Sequence, residues 1–133
     1  MSIRAGFFED FKGEDTLLID VNAEGLRGLI AWVREVMASN RQIALSECPD
    51  VTLQPGTHVE ASCGRDDAGL LRTAERVFLW QRSLDGWMDV VELLAAMEAC
   101  PCHQYLDGPR DDVRVMASIG EYGDEWWSRH ETA

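Results

Sequence analysis

Lysine is almost absent from this chain, and so are the signatures of common enzymes. Lys12 is the only lysine, so a Schiff base or a phosphate-binding ammonium group has one candidate residue. The motifs G-x-x-x-x-G-K-[ST], G-x-G-x-x-G, G-x-S-x-G and H-E-x-x-H do not occur, and neither does an EF-hand loop. No sequence signature therefore assigns a reaction to this protein.

Long apolar runs are missing as well. None approaches the roughly 20 residues that cross a bilayer, and the start MSIRAGFFEDF has acids where a signal peptide has its apolar segment. We therefore expect a cytoplasmic protein. In that reducing compartment four cysteines should remain thiols without disulfides: Cys48, Cys63, Cys100 and Cys102.

Positive charge is scarce, because 24 Asp and Glu residues face 12 Lys and Arg residues and give a formal net charge of -12. This balance argues against nucleic acid and against an anionic membrane as partners, since both attract basic proteins. A basic protein is the expected partner instead. The 133 residues, 46% of them hydrophobic, are enough for a single domain, residues 1–133, with its own core.

Hydrophobic periodicity predicts two helices among short strands. Asn22 caps the first helix and Ser83 the second, which Pro101 ends. The predicted strands cover residues 5–11, 16–21, 42–46, 58–63, 71–82, 102–107 and 112–119, with a loop at 48–56 and a turn at Gly108-Pro109. This order predicts an α+β fold: a mixed, largely antiparallel sheet with two amphipathic helices packed on one face and a short C-terminal helix within residues 123–130.

The C-terminal segment is the first candidate site, because it sets aromatic side chains among acids. Its predicted partner-binding residues are Glu121, Tyr122, Asp124, Glu125, Trp126 and Trp127. Neighbouring helical positions lie about 100° apart, so the two tryptophans cannot both point inward. One should pack against the sheet or the second helix, and the other should join the partner surface. The alternative is that the segment only fastens the chain end to the core.

A polar sheet face is the second candidate. If a turn at residues 108–111 pairs Asp107 with Asp112, it also pairs Tyr105 with Arg114 and His103 with Met116. The residues His103, Tyr105, Arg114 and Ser118 then share one face, where His103 could perform acid–base chemistry. The alternative is a solvated face with a cross-strand contact between tyrosine and arginine.

The sequence Cys100-Pro101-Cys102-His103 is a third cluster, which Cys48, Cys63 or His58 could complete as a zinc site. The spacing does not favour this, because zinc ligands usually come as two C-x-x-C pairs. We therefore expect no metal and no cofactor, with Cys100 and Cys102 as small buried apolar side chains.

Acids are concentrated in residues 9–24 and 107–125, which could steer a basic partner or simply be solvated. Together these features favour a small acidic non-catalytic protein that captures a basic protein. Bacterial immunity and antitoxin proteins, which shield the basic active sites of nuclease toxins, are similar in size and charge, without a shared motif. The alternatives are a small enzyme using His103, Tyr105 and Arg114, and a structural self-association domain such as a homodimer.

Metal analysis tests the prediction for the thiols. Protein purified without chelator should contain no stoichiometric zinc, and all four cysteines should react with a thiol reagent after unfolding. One equivalent of zinc that is lost in the variant Cys100→Ser/Cys102→Ser would contradict it.

Overall fold

The computed structural model describes residues 2–100, 102–106 and 113–130, which fold as α+β. The strands are β1 (Ile3–Phe11), β2 (Glu14–Val21), β3 (Ile43–Ala44), β4 (Val51–Leu53), β5 (His58–Gly64), β6 (Gly69–Ala74), β7 (Val77–Ser83), β8 (His103–Tyr105) and β9 (Arg114–Ile119). The helices are α1 (Ala23–Ala38), α2 (Leu84–Ala99) and α3 (Asp124–His130). The predicted fold class is confirmed.

The strands form two mixed sheets rather than one. The five-stranded sheet has the order β4-β1-β2-β9-β8, and the four-stranded sheet has the order β3-β5-β7-β6. Pairing is antiparallel for β1 with β2, β3 with β5, β6 with β7 and β8 with β9. It is parallel for β1 with β4, β2 with β9 and β5 with β7, so antiparallel pairs hold only a narrow majority. Each parallel pair joins strands that do not follow each other directly in the sequence. The hydrophobic period of a strand does not specify which strand it pairs with.

Both sheets turn one face to a common apolar core that also takes in α1 and α2. The five-stranded sheet contributes the odd-numbered residues of β1 and β2, such as Ile3 and Leu17. At the centre, the ring of Trp80 lies 4.8 Å from that of Trp87, and Trp32 of α1 lies within 6.5 Å of both. The two predicted helices thus pack against the inward faces of both sheets.

The helix starts follow the prediction. Asn22 Oδ1 accepts a hydrogen bond from the backbone N–H of Gly25 at 2.7 Å, and Ser83 Oγ accepts one from Gly86 at 3.0 Å. Each bond satisfies a backbone donor that the first turn of a helix leaves free. The helix α2 ends at Ala99, two residues before Pro101.

Three local predictions need correction. Residues 42–46 form only the two-residue β3 followed by a 3-10 turn at Leu45–Glu47, and the predicted loop 48–56 contains β4. The run 71–82 belongs to two strands, because β6 and β7 form an antiparallel hairpin with a turn at residues 75 and 76. Strands as short as β3 and β4, which gain their partners from distant segments, leave little periodic signal.

Within the described residues, no helix is both long enough and apolar enough to cross a membrane.

Two glycines of α1 give a matched test of this packing. A Cβ on Gly25 would lie 1.9 Å from the carbonyl oxygen of Ser2, whereas a Cβ on Gly28 would first meet the side chain of Ile3 at 4.0 Å. Gly25→Ala should therefore lower the free energy of unfolding by at least about 1–3 kcal/mol. Gly28→Ala should raise it by about 0.5–1 kcal/mol, because alanine favours a helix. Chemical denaturation of both variants checks this, and equal effects would contradict the close approach.

Candidate partner-binding site

The site begins with an irregularity in β1. Phe8 pairs with Thr16 and Phe11 with Glu14, so two residues of β1, Glu9 and Asp10, lie opposite one residue of β2. Asp10 has a φ of 52°, a left-handed conformation that aspartate tolerates better than most residues. Its N–H donates to the side chain of Asp15 at 3.0 Å. This is a β-bulge, a feature that redirects side chains.

The bulge places two aromatic rings on one face of the sheet. In a regular strand, residues three apart point to opposite faces. Here the extra residue brings Phe8 and Phe11 to the same outer face, with ring centroids 6.3 Å apart. The hairpin closes at Lys12 and Gly13, which both have positive φ as in a type I′ turn. The outer face thus gains an aromatic pair that alternation does not predict.

The helix α3 covers this outer face through Trp127. The indole is 2% exposed and packs with Leu18 and Met116, which are fully buried. Gly6 leaves the space for it, because a Cβ there would lie 3.1 Å from the indole and from the ring of Phe8. The sheet is therefore buried on both faces at its centre.

Trp126, one residue earlier, is only half-buried. Its ring lies 5.1 Å from that of Phe8, 6.0 Å from Phe11 and 4.7 Å from Tyr122, and it stacks on His130 at 4.2 Å. His130 Nδ1 also donates to the carbonyl oxygen of Trp126 at 2.7 Å, which stiffens the last turn of α3. The predicted difference in exposure between the two tryptophans is confirmed.

The predicted acids of this segment are all exposed, and they differ in the contacts that their carboxylates make. Asp124 forms an ion pair with Arg4, and Glu121 lies 3.1 Å from Nδ1 of His103. In the part of the chain that the structure describes, Glu125 makes no ion pair. The carboxylate of Glu125 beside Trp126 is therefore available to an incoming cation.

A cleft of about 490 Å³ opens beside Trp126, between the bulge of β1 and the turn that joins β6 to β7. Buried Gln54 forms its floor: its Oε1 accepts hydrogen bonds from the backbone of Phe7 at 3.0 Å and from Arg76 Nη1 at 2.6 Å. Its Nε2 donates to the carbonyl oxygen of His130 at 3.4 Å. Gln54 thereby links both sheets to α3 and holds the cleft open.

Asp20 is a titratable group under α3. It accepts a hydrogen bond from Ser118 Oγ at 3.1 Å, and burial is the largest influence on it, raising the pKa of its carboxyl to about 6. Arg4 and the indole N–H of Trp127 favour the charged form, although that N–H makes no hydrogen bond of good geometry among the described residues.

The predicted polar face has the right residues but the wrong register. His103 pairs with Ser118 and Tyr105 with Met116, so the predicted pairs Tyr105 with Arg114 and His103 with Met116 are wrong by two residues. A two-residue slip leaves each side chain on its face, which is why alternation cannot detect it. Residues 107–112, with the predicted turn and the pair Asp107 and Asp112, lie outside the described residues.

The four residues of this face are engaged in structural contacts. The guanidinium of Arg114 lies 5.0 Å from the ring centroid of Tyr105 and donates to the carbonyl oxygen of Phe11 at 2.6 Å. Ser118 is fully buried and its hydroxyl proton is used on Asp20. The face is therefore covered in part rather than freely solvated, and no accessible serine lies on it.

The thiols differ from the prediction. Cys100 is exposed at the end of α2 and Cys102 is half-buried, so neither is the buried apolar side chain we expected; only Cys48 is buried. Burial, with the nearby Glu35 and Glu47, raises the pKa of the Cys48 thiol to about 12. Across residues 2–100, 102–106 and 113–130, no group of three or more His, Cys, Asp or Glu side chains could hold a metal ion.

Sequence reasoning missed the contributions of Phe8, Phe11 and Gln54 to the site. Nothing in the sequence marks the bulge apart from the acids at positions 9 and 10, which are also ordinary at a hairpin end. No protein-family model matches the chain, and no curated protein matches it either. Function is therefore inferred from the chemistry of the site.

Asp20 gives the stability of the protein a characteristic pH dependence. Its folded-state pKa of about 6 exceeds the ordinary 3.8, so the native state binds the proton more tightly than the unfolded state does. The contribution of Asp20 to the free energy of unfolding is thus fully present below pH 4, where its carboxyl is protonated. It is lost as the pH rises through 6. Asp20→Asn should remove this loss, so its stability relative to wild type should grow by on the order of 1–3 kcal/mol between pH 4.5 and 7.5. Parallel unfolding curves for the two proteins would contradict it.

Proposed function

We propose that this protein is a non-catalytic binding module that captures a basic protein partner. The binding surface comprises Tyr122, Trp126 and the acids Glu121, Asp124 and Glu125, all at or near α3. The neighbouring rings of Phe8 and Phe11 extend it. In character this resembles an immunity or antitoxin protein, whose acidic surface covers a basic toxin.

The half-buried Trp126 is the observation that carries the proposal. Its ring contacts five neighbouring rings and yet is only half-buried, at the side of a cleft. A preorganised tryptophan loses little conformational entropy on binding, which is why such residues dominate the energetics of interfaces. Trp127 anchors the helix from the other side, so the presentation of Trp126 is rigid.

Charge supports a basic partner. Beside the acids of α3, the β1–β2 hairpin exposes Glu9, Asp10, Glu14 and Asp15 against Lys12 alone. Acids around an aromatic centre match the pattern of an interface with a buried anchor and a polar rim. They also accelerate the encounter with a positively charged protein at low ionic strength.

Self-association remains a second candidate because of α2. Leu84 and Met88, one helical turn apart, are 50% and 47% exposed. Sedimentation at several protein concentrations tests this separately from partner capture. A stable dimer that dissociates in Met88→Glu would favour the structural alternative.

Affinity capture from the native host, followed by measurement with the purified partner, tests the proposal. Wild-type protein should recover a basic protein at about 50 mM salt and lose it as salt is raised. Trp126→Ala should weaken binding of that purified protein by about 2 kcal/mol or more. Because Trp126 contacts five rings, the variant should also lose about 1–2 kcal/mol of stability, so its folding is checked by circular dichroism.

A matched pair of variants neutralises one acid at the site and one acid away from it. Glu125→Gln should reduce the association rate, whereas Glu92→Gln on α2 removes the same charge away from the site and should have a much smaller effect. Equal effects of the two variants, or a partner affinity unchanged in Trp126→Ala, would remove this surface from consideration.

A further inference from the structure

We infer that the cleft beside Trp126 binds a guanidinium group, supplied by an arginine side chain of the basic partner. The inference rests on the proposed function and specifies what the partner inserts. The juxtaposition that carries it is an aromatic wall, made by Phe8, Phe11 and Trp126, which lines the cleft together with the acidic residues Glu9 and Asp10.

The aromatic wall suits a planar cation. Phe8 and Phe11 are tilted by 41° to each other, and the Trp126 ring stands at 70° to Phe8 and 90° to Phe11. Rings in this arrangement present both faces and edges to the same space. A guanidinium can stack on such faces and is attracted by their negative quadrupole.

The carboxylates complete the recognition. The bulge turns Glu9 and Asp10 out of the regular pleat, and both line the cleft. The backbone of Asp10 is left-handed, and its N–H is bonded to Asp15 at 3.0 Å, so the backbone that carries this carboxylate is held in place by the bulge. A carboxylate at the rim matches the forked donors of arginine better than the single point charge of lysine.

The protein already places one of its own cations on this wall. Lys12 Nζ lies 5.8 Å from the centroid of the Phe11 ring and lines the cleft. Lys12 directly follows Phe11 in the chain, and its ammonium lies within the range of a cation–π interaction with that ring. Lys12 is exposed at the tip of the hairpin, so an incoming guanidinium can displace it.

Arg76 is the second basic group in the cleft, and its position is different. Its Nη1 donates to Gln54 Oε1 at 2.6 Å and reaches the carbonyl oxygen of Phe7 at 3.5 Å. Its guanidinium is therefore engaged by acceptors at the floor of the cleft. Once Lys12 moves, Glu9 and Asp10 remain at the cleft together with the imidazole of His130, which is stacked on Trp126.

Titration by NMR tests the inference directly. The probes are Nα-acetyl-arginine methylamide and its neutral isostere Nα-acetyl-citrulline methylamide, added at pH 7.5 to the full chain. The arginine probe should shift the indole N–H signal of Trp126 and the amide signals of the bulge, leaving Trp127 and Trp87 unchanged. The citrulline probe should bind at least about two- to five-fold more weakly, as expected for a lost cation–π contact.

Variants of the charged residues that line the cleft test whether it prefers a cation. Lys12→Gln should strengthen binding of the arginine probe, because it removes the internal competitor. Glu9→Gln and Asp10→Asn should weaken it, and asparagine retains the tolerance of residue 10 for a left-handed backbone. Equal binding of both probes, or weaker binding of the arginine probe in Lys12→Gln, would overturn the inference.

The partner experiment separates the two proposals. If the arginine probe does not bind but the partner is captured and lost in Trp126→Ala, the guanidinium site is wrong and the proposed function stands. If the arginine probe binds and no basic partner is captured, the site is a cation site without the proposed function. Failure of both would remove the surface altogether.

Discussion

The five-stranded sheet buries apolar side chains on both faces, and covering those on the second face organises the candidate site. The first face belongs to the common core with α1 and α2. On the second face Leu18 and Met116 are fully buried, which requires a lid, and Trp127 provides it through the space that Gly6 leaves open. Burial of a tryptophan is worth several kcal/mol, so this contact fixes the position of α3. Because Trp126 directly precedes Trp127 in α3, the position of the helix places Trp126 beside the bulge.

Polar groups under the lid show what this burial costs. Asp20 lies between Ser118 and Trp127, and its carboxyl has a raised pKa because burial disfavours its charge. Gln54 instead satisfies several partners at once, including the N–H of Phe7 that the short strand β4 leaves without a backbone acceptor. Buried polar groups are tolerated where hydrogen bonds replace water. The same groups hold the cleft beside Trp126 in shape.

Local signals made part of the fold predictable. The helices α1 and α2 follow from period 3.6 and from the caps Asn22 and Ser83, which act within a few residues. The division into two sheets and the parallel pairing of β2 with β9 depend on distant partners, which the pattern does not identify. The separation of Trp126 from Trp127 was predictable because it follows from helix geometry alone. The aromatic pair on β1 was not, since one extra residue in a strand reverses every face assignment after it.

Hydrogen exchange of the complex with the captured basic protein tests the central claim most directly. If α3 and the hairpin form the binding surface, then amides of residues 8–15 and 121–130 should gain protection, while those on the exposed faces of α1 and α2 should not change. Local opening governs exchange there, so coverage by a partner slows it. Protection confined to α1 and α2, with residues 121–130 exchanging as in the free protein, would contradict the account.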